Sequence, residues 1–405
     1  MRQRRSPEPG AGPGGSVREV LLAALRLGLT SFGGPIAHIG YFRREYVTRR
    51  GWLDESSFME LVALCQFLPG PASSQLGIAI GTRRAGPAGG VAAWLGFTLP
   101  SAVALTIFGL VTVSADLASA GWVHGLKLAA VAVVAQAVWS MARTLTPDWP
   151  RWAIAIIAAA IALGWATPLS QVAIIAGGAV IGRLVLRPTQ FEATAHEPSP
   201  VSRRTGAMSL GLFAGLLVFL PLARAGDGQP AALFESFFRA GALVFGGGHV
   251  LLPLLNASVV APGWVSPDQF LAGYGAAQAV PGPLSTFAAY LGAVSVVPPN
   301  GVAGATIGIF LPSFLLIFGA LPFWDWLRGS VGFRGALAGT NAAVVGILAA
   351  ALYDPIWTSA IDAPIDIAVA AAGLALLTVW RTPPVVVVIL AAIAGELIAR
   401  AGVAV

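Results

Sequence analysis

At 405 residues, with 56% hydrophobic and only 10% charged side chains and a mean hydropathy of +0.78, the chain falls outside the range of soluble globular proteins, where about a quarter of residues are charged. Its net charge of +6 comes from basic residues dispersed over short loops, not gathered with aromatics into a stripe, which argues against a nucleic-acid partner. The single cysteine, Cys65, excludes an intrachain disulfide framework and any multi-cysteine metal site.

Residues 1–16, rich in Arg, Gly and Pro, read as a disordered basic tail rather than a signal peptide. Apolar segments follow at about 17–40, 57–82, 87–114, 122–142, 152–164, 168–186, 207–225, 234–256, 268–297, 301–323, 332–353, 361–380 and 384–400. Most are long enough for a helix to cross a hydrocarbon core of about 30 Å, and alternating ten-residue strands are absent, so the expected class is an all-α polytopic protein of the lipid bilayer. The polar stretch 187–206 is expected as a cytoplasmic linker, and 207–225, which has no partner in the first half, as a connecting transmembrane helix.

The flanking regions, 17–186 and 226–405, repeat one another. Phe32-Gly33-Gly34, Trp52, the run Gln66 to Pro71 and Pro100-Ser101 return as Phe245-Gly246-Gly247, Trp264, the run Gln278 to Pro283 and Pro312-Ser313, at a shift of 212 from the tryptophan onward and 213 at the Gly-Gly. Cytoplasmic loops carry the excess of Lys and Arg. The tail, the loop holding Arg43, Arg44, Arg49 and Arg50, and the pair Arg83-Arg84 all belong inside on that rule. This holds if 17–40 and 57–82 are re-entrant hairpins broken at Gly33-Gly34-Pro35 and Pro69-Gly70-Pro71. Every later element is then inverted, and the matched loop 257–267 indeed has no Lys or Arg. The expected fold is two inverted-topology repeats with broken helical hairpins at Gly-Gly and Pro-Gly-Pro.

Non-helical backbone at membrane depth survives only where protein, water or a solute satisfies its N–H and C=O groups. The breaks therefore mark a cavity, and the half-helices leaving them offer free N–H groups and positive dipole ends to an anion. Candidate ligands are Ser73, Ser74, Ser285 and Thr286 after the Pro-Gly-Pro runs, and the amides at Gly33, Gly34, Gly246 and Gly247, where glycine permits close approach. His38 and His249, each close behind a Gly-Gly, are candidates to donate to the anion. Lys127, the sole lysine, is a candidate countercharge or a snorkelling residue, and Glu60 a partner for an arginine. Arg43 and Arg44 suit a cytoplasmic entry funnel, and Arg239 a similar place on the other side. Nucleotide-loop and zinc-helix motifs are missing, so gradients must supply the energy. A lipid-modifying enzyme would want clustered Asp residues or a His-Glu pair at a membrane face, and neither is visible.

The stretches 32–40, 49–53, 66–76, 245–253 and 278–284 together resemble the long, two-domain form of the chromate ion transporter family over roughly residues 18–353. The resemblance implies a secondary transporter, not an enzyme, exporting chromate from the bacterial cytoplasm across the inner membrane and conferring chromate resistance. Sulfate is its analogue or competitor, and the alternative is a carrier for sulfate or another oxyanion, with import as its open direction. It implies no cofactor and no metal, and a homodimer is left open. Motif positions implied here are Gly33, Gly34, Pro35, Arg43, Gln66, Pro69, Gly70, Pro71, Gly246, Gly247, Gln278, Pro281, Gly282 and Pro283. Gly248 follows the second Gly-Gly where the first has a proline, so the halves are not expected to be strictly equivalent.

Overall fold

Caps and breakers cut the chain where glycine, proline and short polar side chains stand. The structure is a computed structural model describing residues 14–114, 120–165, 168–186, 199, 201–223, 228–245, 248–295 and 301–401. Residues 1–13 of the expected tail, 187–198 and 200 of the linker, and Gly246 and Gly247 lie outside the described residues.

Helix α1 (Val17–Thr30) starts on the Ser16 side chain, which accepts from the Glu19 N–H, so the end of the expected tail is a helix cap. It stops ahead of Gly33, whose φ of +95° only glycine adopts at low cost, and α2 (Gly34–Phe42) follows, running into a π-helical turn, Arg43–Arg49. Asp54 caps α3 (Glu55–Phe67), which ends before Pro69-Gly70-Pro71. Helix α4 (Ala72–Ser114) leaves that break and turns back on itself at Ala85-Gly86. Helices α5 (Gly121–Leu145), α6 (Trp149–Gly164) and α7 (Pro168–Val185) complete the first repeat, and α8 (Arg203–Ala223) connects, starting a turn earlier than the composition suggested.

The second repeat runs through the same series: α9 (Gly228–Ala242), α10 (Leu251–Leu255), α11 (Pro267–Ala279), α12 (Phe287–Val294), α13 (Gly301–Ala320), α14 (Trp324–Gly329), α15 (Val331–Ala351), α16 (Thr358–Ala360), α17 (Pro364–Thr378) and α18 (Pro384–Arg400). Ser266, matching Asp54, caps α11 with a reciprocal capping box to Gln269. Among the described residues there is no strand, and five helices are long and apolar enough to cross a membrane. The chain is a multi-pass helical membrane protein.

Packing follows the repeat. Helix α1 lies on the second arm of α4 through Gly28 and Gly96, and α9 lies on α13 through the matched Gly241 and Gly308. Beyond this core the repeats exchange partners. Helix α5 packs on α17 and α18 of the second repeat, whereas its counterpart α15 packs on α6 and α7 of the first. Both crossings use small residues four apart, Gly121 and Gly125 against Ala391 and Gly395, and Gly178 and Gly182 against Gly335 and Gly339. A Cβ on Gly121 would stand 2.8 Å from the Gly395 carbonyl oxygen, and one on Gly178 would stand 2.8 Å from that of Gly339. Without water to squeeze out, such close backbone approach is what holds membrane helices together.

Three polar contacts tie the start of α5 to the second repeat: the Trp122 N–H donates to Glu396 at 3.2 Å, the His124 ring meets Asp366 at 2.9 Å, and Lys127 meets Asp268 at 3.0 Å. The halves are interlocked rather than docked. Gly339→Val is therefore expected to lower stability by about 1–3 kcal/mol, since its side chain meets backbone that cannot yield. Gly211→Val on α8, where nothing lies within 4 Å, is expected to leave it unchanged. Thermal unfolding of the two purified variants in detergent checks the contrast.

Candidate functional site

The four helix breaks meet in pairs, and each pair joins the two repeats. The Gly70 N–H, in the first Pro-Gly-Pro, donates to the Val244 carbonyl at 2.6 Å; the Gly282 N–H, in the second, donates to the Ser31 carbonyl at 2.9 Å. Ser31 and Val244 hold matched places, one residue before Phe32-Gly33-Gly34 and Phe245-Gly246-Gly247. Each Pro-Gly-Pro loop thus clasps the helix end that precedes the Gly-Gly of the other repeat.

Both clasps depend on glycine for two reasons. Gly70 and Gly282 have φ of +128° and +106°, which L side chains rarely adopt. A Cβ at Gly70 would also come 3.1 Å from the Ser313 hydroxyl, and one at Gly282 would come 2.7 Å from the Ser101 hydroxyl. Ser101 and Ser313 are themselves matched, each following the proline inside its helix. The helices bearing them touch, with Trp94 edge-on to Phe310 and Phe314 at 5.7 and 5.5 Å between ring centres.

Polar groups around the clasps are buried without protein partners. The hydroxyls of Ser31, Ser74, Ser285 and Ser313, the Gln75 Oε1, the Gln278 Nε2 and the His38 Nδ1 have none, although the four serines are at most 1% exposed. A stranded buried polar group costs about 1–3 kcal/mol, so a cluster of them is what a polar solute would satisfy. Gln75 also braces the first loop by donating to the Pro69 carbonyl at 2.6 Å. The first amides of α4, at Ala72, Ser73 and Ser74, are at the helix start and have no intrahelical acceptor.

The two halves of the site differ. In the first repeat the chain enters α2 and α4 directly as α-helix, with Pro35 in the first turn of α2. In the second it enters through 3-10 turns, Gly248–Val250 and Leu284–Thr286, and α10 is only five residues long. Thr286 turns its hydroxyl to the Pro283 carbonyl at 2.7 Å, and Ser101 turns its own to Thr98 at 3.0 Å, while Ser313 has no such acceptor. Regular helix starts with free amides therefore belong to the first repeat.

Other candidates are placed as follows. His38 is buried and its Nε2 donates to the Ser31 carbonyl at 3.2 Å. His249 meets the Tyr274 hydroxyl at 2.7 Å through Nδ1. Gln66 is exposed, and Gln278 is half-buried. Ser73 is buried beside Ser74, and Pro71 and Pro283 are buried on either side of the loops from the half-buried Pro69 and Pro281. Gly34 has open space around it. Lys127 is buried at the α5 to α11 contact, where its Nζ donates to Asp268 at 3.0 Å. Glu60 stands 4.0 Å from Arg83, an arginine partner as expected. Arg43 is on the surface, where a 2.6 Å hydrogen bond from its Nε to Glu55 raises its pKa above the ordinary value. Gln75, Ser31, Ser101 and Ser313 were not among the sequence candidates, though the recurrence of Pro-Ser at the shift of 212 already marked the last two.

Comparison with known proteins gives these repeats a family. The profile described as chromate transporter matches residues 18–183 and 231–396, one repeat each. The chain is 34% identical to the chromate transport protein of Pseudomonas aeruginosa over 92% of this chain and 90% of that protein. It is 29% identical to the probable chromate transport protein of Synechococcus elongatus, covering 95% and 96% of the two chains, and 26% identical to the chromate transport protein of Cupriavidus metallidurans, covering 90% and 87%. No solved structure matches the chain. With both repeats matched and the clasped breaks built from the matched segments, the chain belongs to the chromate transporter family.

Proposed function

We propose that this protein is a secondary transporter that carries chromate, a tetrahedral divalent oxyanion, out of the bacterial cytoplasm across the inner membrane. The observation that carries the reading is the reciprocal pair of clasps, because two related repeats bring four interrupted helices and a set of unpartnered buried hydroxyls to one place. It is a carrier and not an enzyme. The repeats are read as inverted and their broken hairpins as re-entrant, on the distribution of arginines.

Chemistry at the breaks suits an oxyanion. Hydroxyls of Ser74, Ser285 and Ser313 and the first amides of α4 and α2 are donors, and a helix start favours negative charge by about 0.3–1 kcal/mol, more where it is partly buried. The amides of Gly70 and Gly282 are not among these donors, since each already holds a carbonyl of the other repeat. They tie the halves together around the solute, and so give alternating access a mechanical basis. When one repeat rocks on the other, the clasps must shift, and occupancy of the hydroxyl cluster changes the cost of that shift.

Electrical work sets direction. Moving one charge through 100 mV is worth about 2.3 kcal/mol, so a dianion leaving an interior-negative cell gains roughly twice that. Inverted vesicles containing the protein are expected to accumulate chromate when the lumen is made positive, and more slowly when the potential is collapsed. Sulfate in excess is expected to compete. Flux of sulfate but not chromate would establish the sulfate reading in its place.

Gly70→Ala and Gly282→Ala are each expected to reduce chromate flux at least tenfold, because a methyl group forces the clasp open and adds about 1–3 kcal/mol of backbone strain. Protein amount in the membrane, measured alongside, separates lost transport from lost insertion. Wild-type flux in both variants would remove the clasps from the mechanism.

A further inference from the structure

Across residues 17–84 the first repeat has eight arginines, and the second has kept one of them. Arg18 is matched by Ala231, the loop from Arg43 to Arg50 by residues 256–262, which contain no Lys or Arg, and Arg83-Arg84 by Ser295-Val296. Arg26 alone is matched, by Arg239 at the shift of 213. Arginines that only orient a repeat in the membrane are lost when its copy is inserted the other way. An arginine retained in both copies answers to something both copies face.

Their placement says what that is. Arg26 stands five residues before Ser31 in α1, and Arg239 five before Val244 in α9, the two residues whose carbonyls the clasps hold. Arg26 lies four residues and Arg239 three from the last residue of its helix, roughly 6 and 4.5 Å along the axis at about 1.5 Å per residue. Helical side chains lean toward the helix N-terminus, so both guanidinium groups point away from the break and stand at its approach, not within it.

Each is steadied by a buried carboxylate acquired separately. Arg26 is 4.0 Å from Glu45, whose charge is also met by Arg49 at 3.0 Å and Arg50 at 2.7 Å, so positive charge is left over there. Arg239 Nε is 3.1 Å from Glu235, which is 2% exposed. Neither acid recurs in the other repeat: Leu22 matches Glu235, and the neutral pair Ala257-Ser258 covers the place of Glu45. The repeated element is the guanidinium, whose planar fork fits two oxygens of an oxyanion. The two differ in exposure, 55% for Arg26 and 19% for Arg239.

We propose that Arg26 and Arg239 are a matched pair of oxyanion stations, one on each approach to the clasped breaks, which bind the anion before entry and after exit. This rests on the oxyanion-carrier reading above. The test uses the full-length protein in proteoliposomes with chromate as the probe, presented to either face. Arg26→Gln is expected to raise the KM for chromate about tenfold from the Arg26 face and little from the other, and Arg239→Gln to do the reverse. Arg26→Lys and Arg239→Lys are expected to recover part of the loss. If the arginines merely neutralise their carboxylates, Arg239→Gln with Glu235→Gln, and Arg26→Gln with Glu45→Gln, will restore the wild-type KM, and that result overturns the proposal. So do single Gln variants with wild-type KM from both faces while the wild-type protein transports chromate. Wild-type protein that moves neither chromate nor sulfate overturns this proposal and the carrier reading together.

Discussion

Two hydrogen bonds between peptide groups, Gly70 to Val244 and Gly282 to Ser31, organise this protein. Each repeat interrupts its helices in buried surroundings, and an interrupted helix leaves donors and acceptors that apolar neighbours cannot satisfy. The structure answers by letting each interruption serve the other repeat. A Pro-Gly-Pro loop supplies an N–H to the other repeat's helix end, so each half completes the hydrogen bonding of the other's break.

The surrounding packing reinforces that dependence. Helices α5 and α15 leave their own repeats to lie on α17 and α18 and on α6 and α7, through glycine faces close enough that a methyl group would collide with backbone. Both the glycine crossings and the clasps therefore join one repeat to the other. The cluster of buried serine hydroxyls without protein partners sits at those contacts.

Near-symmetry is informative where it fails. The first repeat enters its half-helices directly, whereas the second enters through 3-10 turns, in one of which Thr286 turns its hydroxyl back to the Pro283 carbonyl while Ser285 has no partner. Gly248 in place of a proline is the visible sequence counterpart of that change. Arg43, Arg50 and Arg84 of the first repeat are paired with Glu55, Glu45 and Glu19, and the Arg50 and Arg84 guanidinium groups each stand 5.1 Å from the Trp52 ring centre. That face is an ionic lattice, and only Arg26 and Arg239 recur at equal distance from the clasps.

Much of this was legible from residues alone, for a local reason. Gly33, Gly70 and Gly282 break helices through backbone sterics that act within a few residues, so the interruptions and the repeat itself can be read in order along the chain, whereas the Ser16 cap was hidden in what the composition made a disordered tail. Apolar length and arginine spacing likewise define helices and a membrane class without any tertiary contact. Which carbonyl receives the Gly70 N–H, which hydroxyls are stranded, that Lys127 belongs to Asp268, and that α5 leaves its own repeat were decided only by the tertiary structure. Those partners lie far apart in sequence, and helices of nearly uniform hydrophobicity give no periodic signal of which face meets which neighbour. The choice rests on close backbone fit at glycines and on satisfying buried polar groups, both of which exist only once the helices are assembled.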